Sequence, residues 1–378
     1  MAYVTKFIIR CLRALTKAID SNDFRDTYEV TESTKHEIGK SFYEADTIDD
    51  LLASVYTDLL KESSGTEATR GNFVEFIGCM LVLNNPRARL SRSHSRGKIF
   101  SGLAELLWYL SGSNRLDFME YYLKGKYAKE SEDGETVRSA YGERLFGPNG
   151  INQMQNVIVL LSSKPTSRRA VIQLFDASDL TKNFYSVPCT CTLQFIARQG
   201  KLNMLVNMRS NDAYKGLAHD IFSFTMVQEI VARTVGLDVG TYKHCVGSLH
   251  LYTDPDKDGK SDKDRIQEYL QEGFFKPTPM LAMPEGDPWP SIKRLQKFEK
   301  DVRLNGHSSP CNVCGSDYWD DLCRLLAFFY HYKQEKAASN GHIKVCDQIR
   351  SEMSTTIYDL FLVTKMDDAE NGKKKGMH

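Results

Sequence analysis

Hydrophobic positions along the chain fall into two periods. Residues 47–62 (TIDDLLASVYTDLLKE) carry apolar side chains at helical spacing behind Thr47, with acids in the first turn, and predict a capped helix. Residues 97–111 (GKIFSGLAELLWYLS) predict a mostly buried helix that stops at Gly112, and residues 220–235 a long apolar one. Residues 73–83, 168–175 and 245–252 read as strands. TLQFIAR, QG and KLNMLVNMR (192–209) predict a hairpin whose second arm turns Leu202, Met204, Val206 and Met208 to one face. The first twenty residues alternate basic and apolar side chains. They predict an amphipathic surface helix and lack the apolar stretch and cleavage site of a secretory signal. The whole reads as α+β, a dominant sheet packed by helices.

From about residue 254 the pattern changes. DPDKDGKSDKDR (254–265) predicts a solvated loop, followed by a proline-rich connection and two helical segments near 316–336 and 340–363. The end of the chain, NGKKKGMH, reads as disordered.

Composition narrows the function. The 378 residues, 41% apolar, suit one large domain with an appendage. Lys plus Arg and Asp plus Glu both number 49, so nothing global suggests a nucleic-acid partner, and any phosphate must be held by local arginines. No apolar run reaches membrane-spanning length, so no membrane partner is expected. Nine cysteines scattered through the chain predict free thiols in a reducing, cytoplasmic compartment.

One of those cysteines has unusual company. Cys189 lies between Pro188 and a strand, in SVPCTCTLQF. A lone cysteine is ordinarily a small buried hydrophobe. A nearby cation can instead make it a nucleophilic thiolate. Arg209 ends the second arm of the hairpin whose first arm begins just after Cys189, and the hairpin register brings those two ends together. Ser167-Arg168-Arg169 forms a second basic cluster at a strand entrance, suited either to solvent or to a phosphate.

Six segments in order resemble the thymidylate synthase family over residues 70 to 300. They are ELLWYLSG (105–112), AYGERLFG (140–147), SRRAVI (167–172), PCTCTLQF (188–195), RSNDAYKGLAHDI (209–221) and HCVGSLHLY (244–252). The resemblance implies a thymidylate synthase-like fold, a large mixed sheet packed by helices with extra C-terminal helices. It implies a division into an N-terminal helical segment (1–65), a catalytic domain (66–300), a helical extension (301–365) and a disordered tail (366–378). It also implies chemistry. Cys189 adds to C6 of a pyrimidine nucleotide, and C5 then takes a one-carbon unit from 5,10-methylenetetrahydrofolate. Glu105 and Tyr141 join it as catalytic groups. Arg209, Ser210 and Arg70 address the nucleotide phosphate, and Arg168 and Arg169 reach the phosphate of the neighbouring subunit of a homodimer. His250 and Tyr252 address the sugar, and Asp212 and Trp108 the folate.

The departures from the family pattern carry the specificity. Asp220 stands where the family's uracil-reading Asn belongs. An Asn accepts from N3–H of uracil and donates to O4. Cytosine presents the reverse, an N4 donor and a bare N3, and a carboxyl group that accepts from N4 and, when protonated, donates to N3 suits it. The same change marks the deoxycytidylate hydroxymethylases within the family. Asp220 also reads, more simply, as a helix cap. Thr190 replaces a His, Asn211 a Cys and Ser248 an Asp, and NNPRARLS (84–91) resembles the hydroxymethylase branch. The short apolar end that closes over folate in thymidylate synthases is missing. Altered closure admits water where hydride would otherwise add. The reading is therefore hydroxymethylation of CMP or dCMP, with methylation of UMP or dUMP as the alternative. The intact Cys189, Glu105, Tyr141 and Arg209 argue against a non-catalytic nucleotide- or RNA-binding protein.

Two weaker patterns point to metals. Asp254, Asp256, Asp258 and Gly259 open an EF-hand spacing, but its twelfth position is Arg265, so no calcium site is read. His307, Cys311, Cys314 and Cys323 offer four zinc-ligand types at irregular spacing, and ordinary thiols without a metal are expected.

Overall fold

A computed structural model describes residues 41–63, 65–68, 71–147, 150–273, 278–306, 313–338 and 341–375. The N-terminal amphipathic segment and Arg70 lie outside these residues, as do His307 and Cys311.

The elements run in chain order as follows. β1 (Phe42–Ala45) leads into α1 (Ile48–Leu59), then β2 (Thr66–Ala68) and β3 (Gly71–Leu83). Helices α2 (Ile99–Leu110), α3 (Leu116–Tyr122), α4 (Tyr141–Phe146) and α5 (Gln153–Ser163) precede β4 (Val171–Gln173). β5 (Thr190–Arg198), β6 (Lys201–Asp212), α6 (Leu217–Thr234) and β7 (Asp238–Tyr252) complete the centre. The C-terminal part is helical: α7 (Asp262–Glu272), α8 (Trp289–Asn305), α9 (Asp317–Ala338), α10 (His342–Ser351) and α11 (Asp359–Lys375).

The strands form one mixed sheet in the order β1-β3-β7-β6-β5-β4, with β2 beside β3. β6 and β7 are parallel, which requires a crossover, and α6 supplies it. β5 and β6 form the expected hairpin. Gln199 (φ 52°) and Gly200 (φ 73°) make its two-residue turn, and these left-handed values give the chain the twist a tight hairpin needs. Leu202, Met204, Val206 and Met208 are buried on one face of β6, a strand that packs against α6. The opposite face is more open, with Ile77 77% and Val171 41% exposed.

Helix α1 is capped as predicted, with Thr47 Oγ1 accepting from the Asp50 amide at 3.1 Å. Gly112 ends α2 at φ 68°. Several expectations change. Residues 42–45 are a strand within the segment read as helical, because Phe42 to Ala45 find the free edge of β3. The strand read at 168–175 shrinks to Val171–Gln173. The loop read at 254–265 becomes helix from Asp262. A capping box between Ser261 and Asp264 starts it, a signal the charge-rich composition masked.

The division at residue 300 falls inside α8. The helices beyond it are not a separate extension. Phe328 and Phe329 of α9 stack on Phe100 of α2 at 5.7 and 5.5 Å, and a single apolar core runs through both regions. A fully buried Phe of this kind contributes about 1.5–3 kcal/mol. The segment read as disordered from 366 is helical through Lys375. Leu362 and Ala369 are buried, so packing against α9 and α10 holds a sequence whose own composition favours solvent. No described helix is long and apolar enough to cross a membrane, and no disulfide joins the described cysteines.

Candidate active site

The hairpin delivers the first pair. Thr190 lies opposite Met208, and the Arg209 amide donates to the Cys189 carbonyl at 2.8 Å. The Arg209 side chain folds back over the strand entrance. Its Nε donates to the Pro188 carbonyl at 2.9 Å and its Nη2 to Val187 at 3.0 Å. The same Nη2 stands 3.7 Å from Cys189 Sγ. A fixed cation beside the sulfur is the electrostatic condition a thiolate nucleophile needs.

The parallel pair β6–β7 delivers the second group. Its register sets Ser210 opposite Ser248 and Asp212 opposite His250, so these side chains share the carboxyl end of the sheet. Ser210 Oγ and His250 Nδ1 are 3.3 Å apart. The rings of Phe73 and Tyr252 flank His250 at 5.6 and 5.2 Å. Asp212 Oδ1 accepts from the amides of Tyr214 and Lys215 at 2.9 and 2.7 Å, so it forms the turn into α6 as well as facing the cleft. Burial raises its carboxyl above the ordinary range, with the Lys215 amide and ammonium working against the shift.

Asp220 stands in the first turn of α6. The Asn211 side-chain amide donates to its Oδ2 at 2.6 Å. Burial, followed by the charge of Glu105, pushes the Asp220 carboxyl up to about 7, while the Asn211 hydrogen bond and the Lys126 charge act the other way. At neutral pH the group is near half protonation. Because Asn211 occupies Oδ2 as a donor, the proton of the neutral form belongs on Oδ1.

Glu105 points inward from α2. Burial pushes its carboxyl up, but the Lys126 charge and the hydrogen bonds from Tyr127 and Lys126 outweigh that and hold it below its ordinary value. Lys126 Nζ is 3.1 Å from Glu105 Oε1, and the Tyr127 hydroxyl donates to the same oxygen. Two neighbouring carboxyl groups are thus pushed apart, Glu105 ionised and Asp220 protonatable, the arrangement that assigns base and acid within one site. Tyr141 accepts from the amide and hydroxyl of Thr190 at 3.1 and 2.9 Å. Burial, then the proximity of Cys189 and Asp220, raises its phenol well above the usual range, so it stays protonated.

All these groups line a single cleft of about 840 Å³. Among the described residues, every one assigned from the sequence to nucleotide, folate or catalysis lines it except Arg168 and Arg169. Arg168 and Arg169 are exposed at the entrance of β4, away from the cleft. Of the lining residues not foreseen as site residues, four bear directly on the charges of the cleft. Asn211 was noted only as a departure from the family, although it orients Asp220. Lys126 and Tyr127 come from the loop after α3, whose sequence YYLKGKYAKE gives no sign that it reaches Glu105. His219 bonds Ser101 Oγ through Nε2 at 2.7 Å, and burial lowers its pKa to about 4, so it is neutral at pH 7.

A sequence profile of thymidylate synthase matches residues 94–309, more than half of the chain. The chain belongs to the thymidylate synthase family. It is also similar to the deoxyuridylate hydroxymethyltransferase of Bacillus phage SP01, at 29% identity over 219 residues. That stretch is 54% of this chain and 57% of the relative, so the chain spans little more than half of the relative's length. Cys189, Arg209 and Asp220 all fall within the matched residues and line the same cleft.

Proposed function

We propose that the protein transfers a one-carbon unit from 5,10-methylenetetrahydrofolate to C5 of a pyrimidine nucleoside monophosphate, that the base is cytosine, and that the product is hydroxymethylated. The observation that carries this reading is Asp220, a carboxyl group raised to about 7 in the cleft that holds Cys189 and Arg209. When the Cys189 thiolate adds to C6, the electrons of the C5–C6 double bond move through C4. In cytosine the charge collects on N3, which then takes a proton. An acid poised near neutrality is matched to that transfer. In uracil the charge collects on O4, which asks only for a fixed donor. Glu105, kept ionised by Lys126 and Tyr127, serves as the base that removes the C5 proton, directly or through water.

Arg209 and Ser210 hold the phosphate, and His250 and Tyr252 the sugar hydroxyl. The folate fits the remaining wall. Trp108 and Tyr127 present rings 5.2 Å apart, the buried Trp108 Nε1 has no acceptor among the described residues, and Asp212 offers a carboxyl group to an amino-bearing ring edge. When bound, methylenetetrahydrofolate supplies the carbon at the oxidation level of formaldehyde. Arg168 and Arg169 act on the cleft of a second copy, which the open sheet face around Ile77 and Val171 receives. A uracil substrate is the second reading, favoured by the name of the phage relative.

The test offers the protein methylenetetrahydrofolate and an equimolar mixture of CMP, dCMP, UMP and dUMP, and weighs the products. A gain of one CH2O unit on a cytosine nucleotide is expected. A product from uracil alone sinks the cytosine assignment. Cys189→Ala loses all release of tritium from C5, and retained release refutes the nucleophile.

A further inference from the structure

The chemistry so far leaves one cluster of buried nucleophiles unused. Cys314 precedes α9, and Asp320 and Cys323 lie one turn apart on its first turns. Gly315, at φ 76°, reverses the chain so that Cys314 faces that helix surface. All three residues are buried, at 3%, 3% and 0% exposure. One ligand atom from each lies within 4.8 Å of the others. The sulfurs of Cys314 and Cys323 are 3.7 Å apart. Two zinc–sulfur bonds of about 2.3 Å at a tetrahedral angle place sulfurs about 3.8 Å apart. Irregular spacing argued against zinc in the sequence. Asp320, which no cysteine spacing would nominate, changes that reading.

We propose that Cys314, Asp320 and Cys323 bind a zinc ion that fastens the start of α9 to α8. Two thiolates and one carboxylate form a soft, anionic donor set, which selects zinc over calcium or magnesium. The surroundings support the charge. Arg294 of α8 donates from Nη2 to the Cys314 carbonyl at 3.1 Å and places a cation beside the cluster. The Cys314 amide donates to Asp320 Oδ1 at 2.7 Å, which fixes the carboxylate and leaves Oδ2 for a metal. Cys314 Sγ also lies 3.7 Å from the Ser291 carbonyl of α8. A divalent cation lets three acidic groups ionise together in a buried place where they would otherwise repel. The cluster does not line the cleft, so its role is to hold α8 and α9 together. The fourth coordination position is left to water or a further residue.

The experiment uses the full chain, purified without a histidine tag or chelators, with metal measured by plasma mass spectrometry. About one zinc per chain is expected. The Cys314→Ser/Cys323→Ser double variant should hold almost none, while Cys79→Ser retains it. Should the double variant not fold, the unmutated protein still decides. Cobalt in place of zinc should give a thiolate-to-cobalt charge-transfer absorption, and stripping the metal should lower Tm reversibly. The proposal is overturned if the unmutated protein, incubated with zinc and desalted, holds no metal. It is equally overturned if the cobalt form shows no thiolate band, or if Cys314 and Cys323 are recovered as a disulfide.

Discussion

Replacing Asp220 by Asn separates two roles that the carboxyl group combines. Asn211 donates to Oδ2 at 2.6 Å and fixes that oxygen as an acceptor. The introduced amide therefore puts its oxygen there and its NH2 in the place of Oδ1. In shape and hydrogen-bond polarity the variant copies the protonated acid. It loses only the ability to give its proton away. If Asp220 protonates N3 of cytosine during thiolate addition, the loss is that of a general acid, about 10²- to 10⁴-fold in kcat, or roughly 3–5 kcal/mol of barrier. Uracil needs no proton at N3, so its turnover should change by less than about tenfold, and the cytosine-to-uracil ratio should fall by at least about tenfold. The assay is tritium release from C5 of CMP, dCMP, UMP and dUMP across pH 5.5 to 9. For the parent protein, kcat/KM on cytosine should be flat below about 7 and fall above it, as Asp220 loses its proton. The variant should lack that descent. An equal loss on both bases, or an unchanged ratio, refutes the proton transfer and leaves Asp220, which lies inside the helix that Gly216 caps, only as the acceptor of the Asn211 amide.

Other consequences are open to measurement. Lys126→Met removes the cation that holds the Glu105 carboxyl down, so burial then dominates and the acid limb of the kcat profile should move to higher pH, with kcat about tenfold lower at pH 7. An unmoved limb would show that Lys126 does not tune Glu105. Mixing inactive Cys189→Ala with inactive Arg168→Ala/Arg169→Ala protein should restore about a quarter of the activity, because half of the dimers then carry one complete site. No recovery after subunit exchange excludes sharing of the arginines. Asp220 also affects stability. Its folded carboxyl is raised, so the folded state binds the extra proton between about 4 and 7 and loses relative stability as pH climbs through that window. Asp220→Asn should therefore raise Tm more at pH 8 than at pH 5, and an equal change at both values contradicts the raised carboxyl.

What the sequence determined is local. Alternation in 192–209 and the pair Gln199-Gly200 define the hairpin, because register and turn are written in adjacent residues, and the hairpin alone brings Arg209 to Cys189. Thr47 and Gly112 mark helix ends for the same reason. The ordered motifs located the cleft residues without their geometry. Tertiary structure decided what no local pattern encodes. The parallel pairing of β6 with β7, which α6 connects, aligns Asp212 with His250. Lys126 reaches Glu105 from a loop of ordinary composition, and Glu105 in turn raises Asp220, so the protonation of the base reader depends on groups far apart in the chain and brought into one buried place. The helices after residue 300 read as an appendage, yet Phe328 and Phe329 complete the core around Phe100. Propensity and turns act over a few residues and can be read along the chain. Burial and charge coupling act through space, and they exist only once the fold has formed.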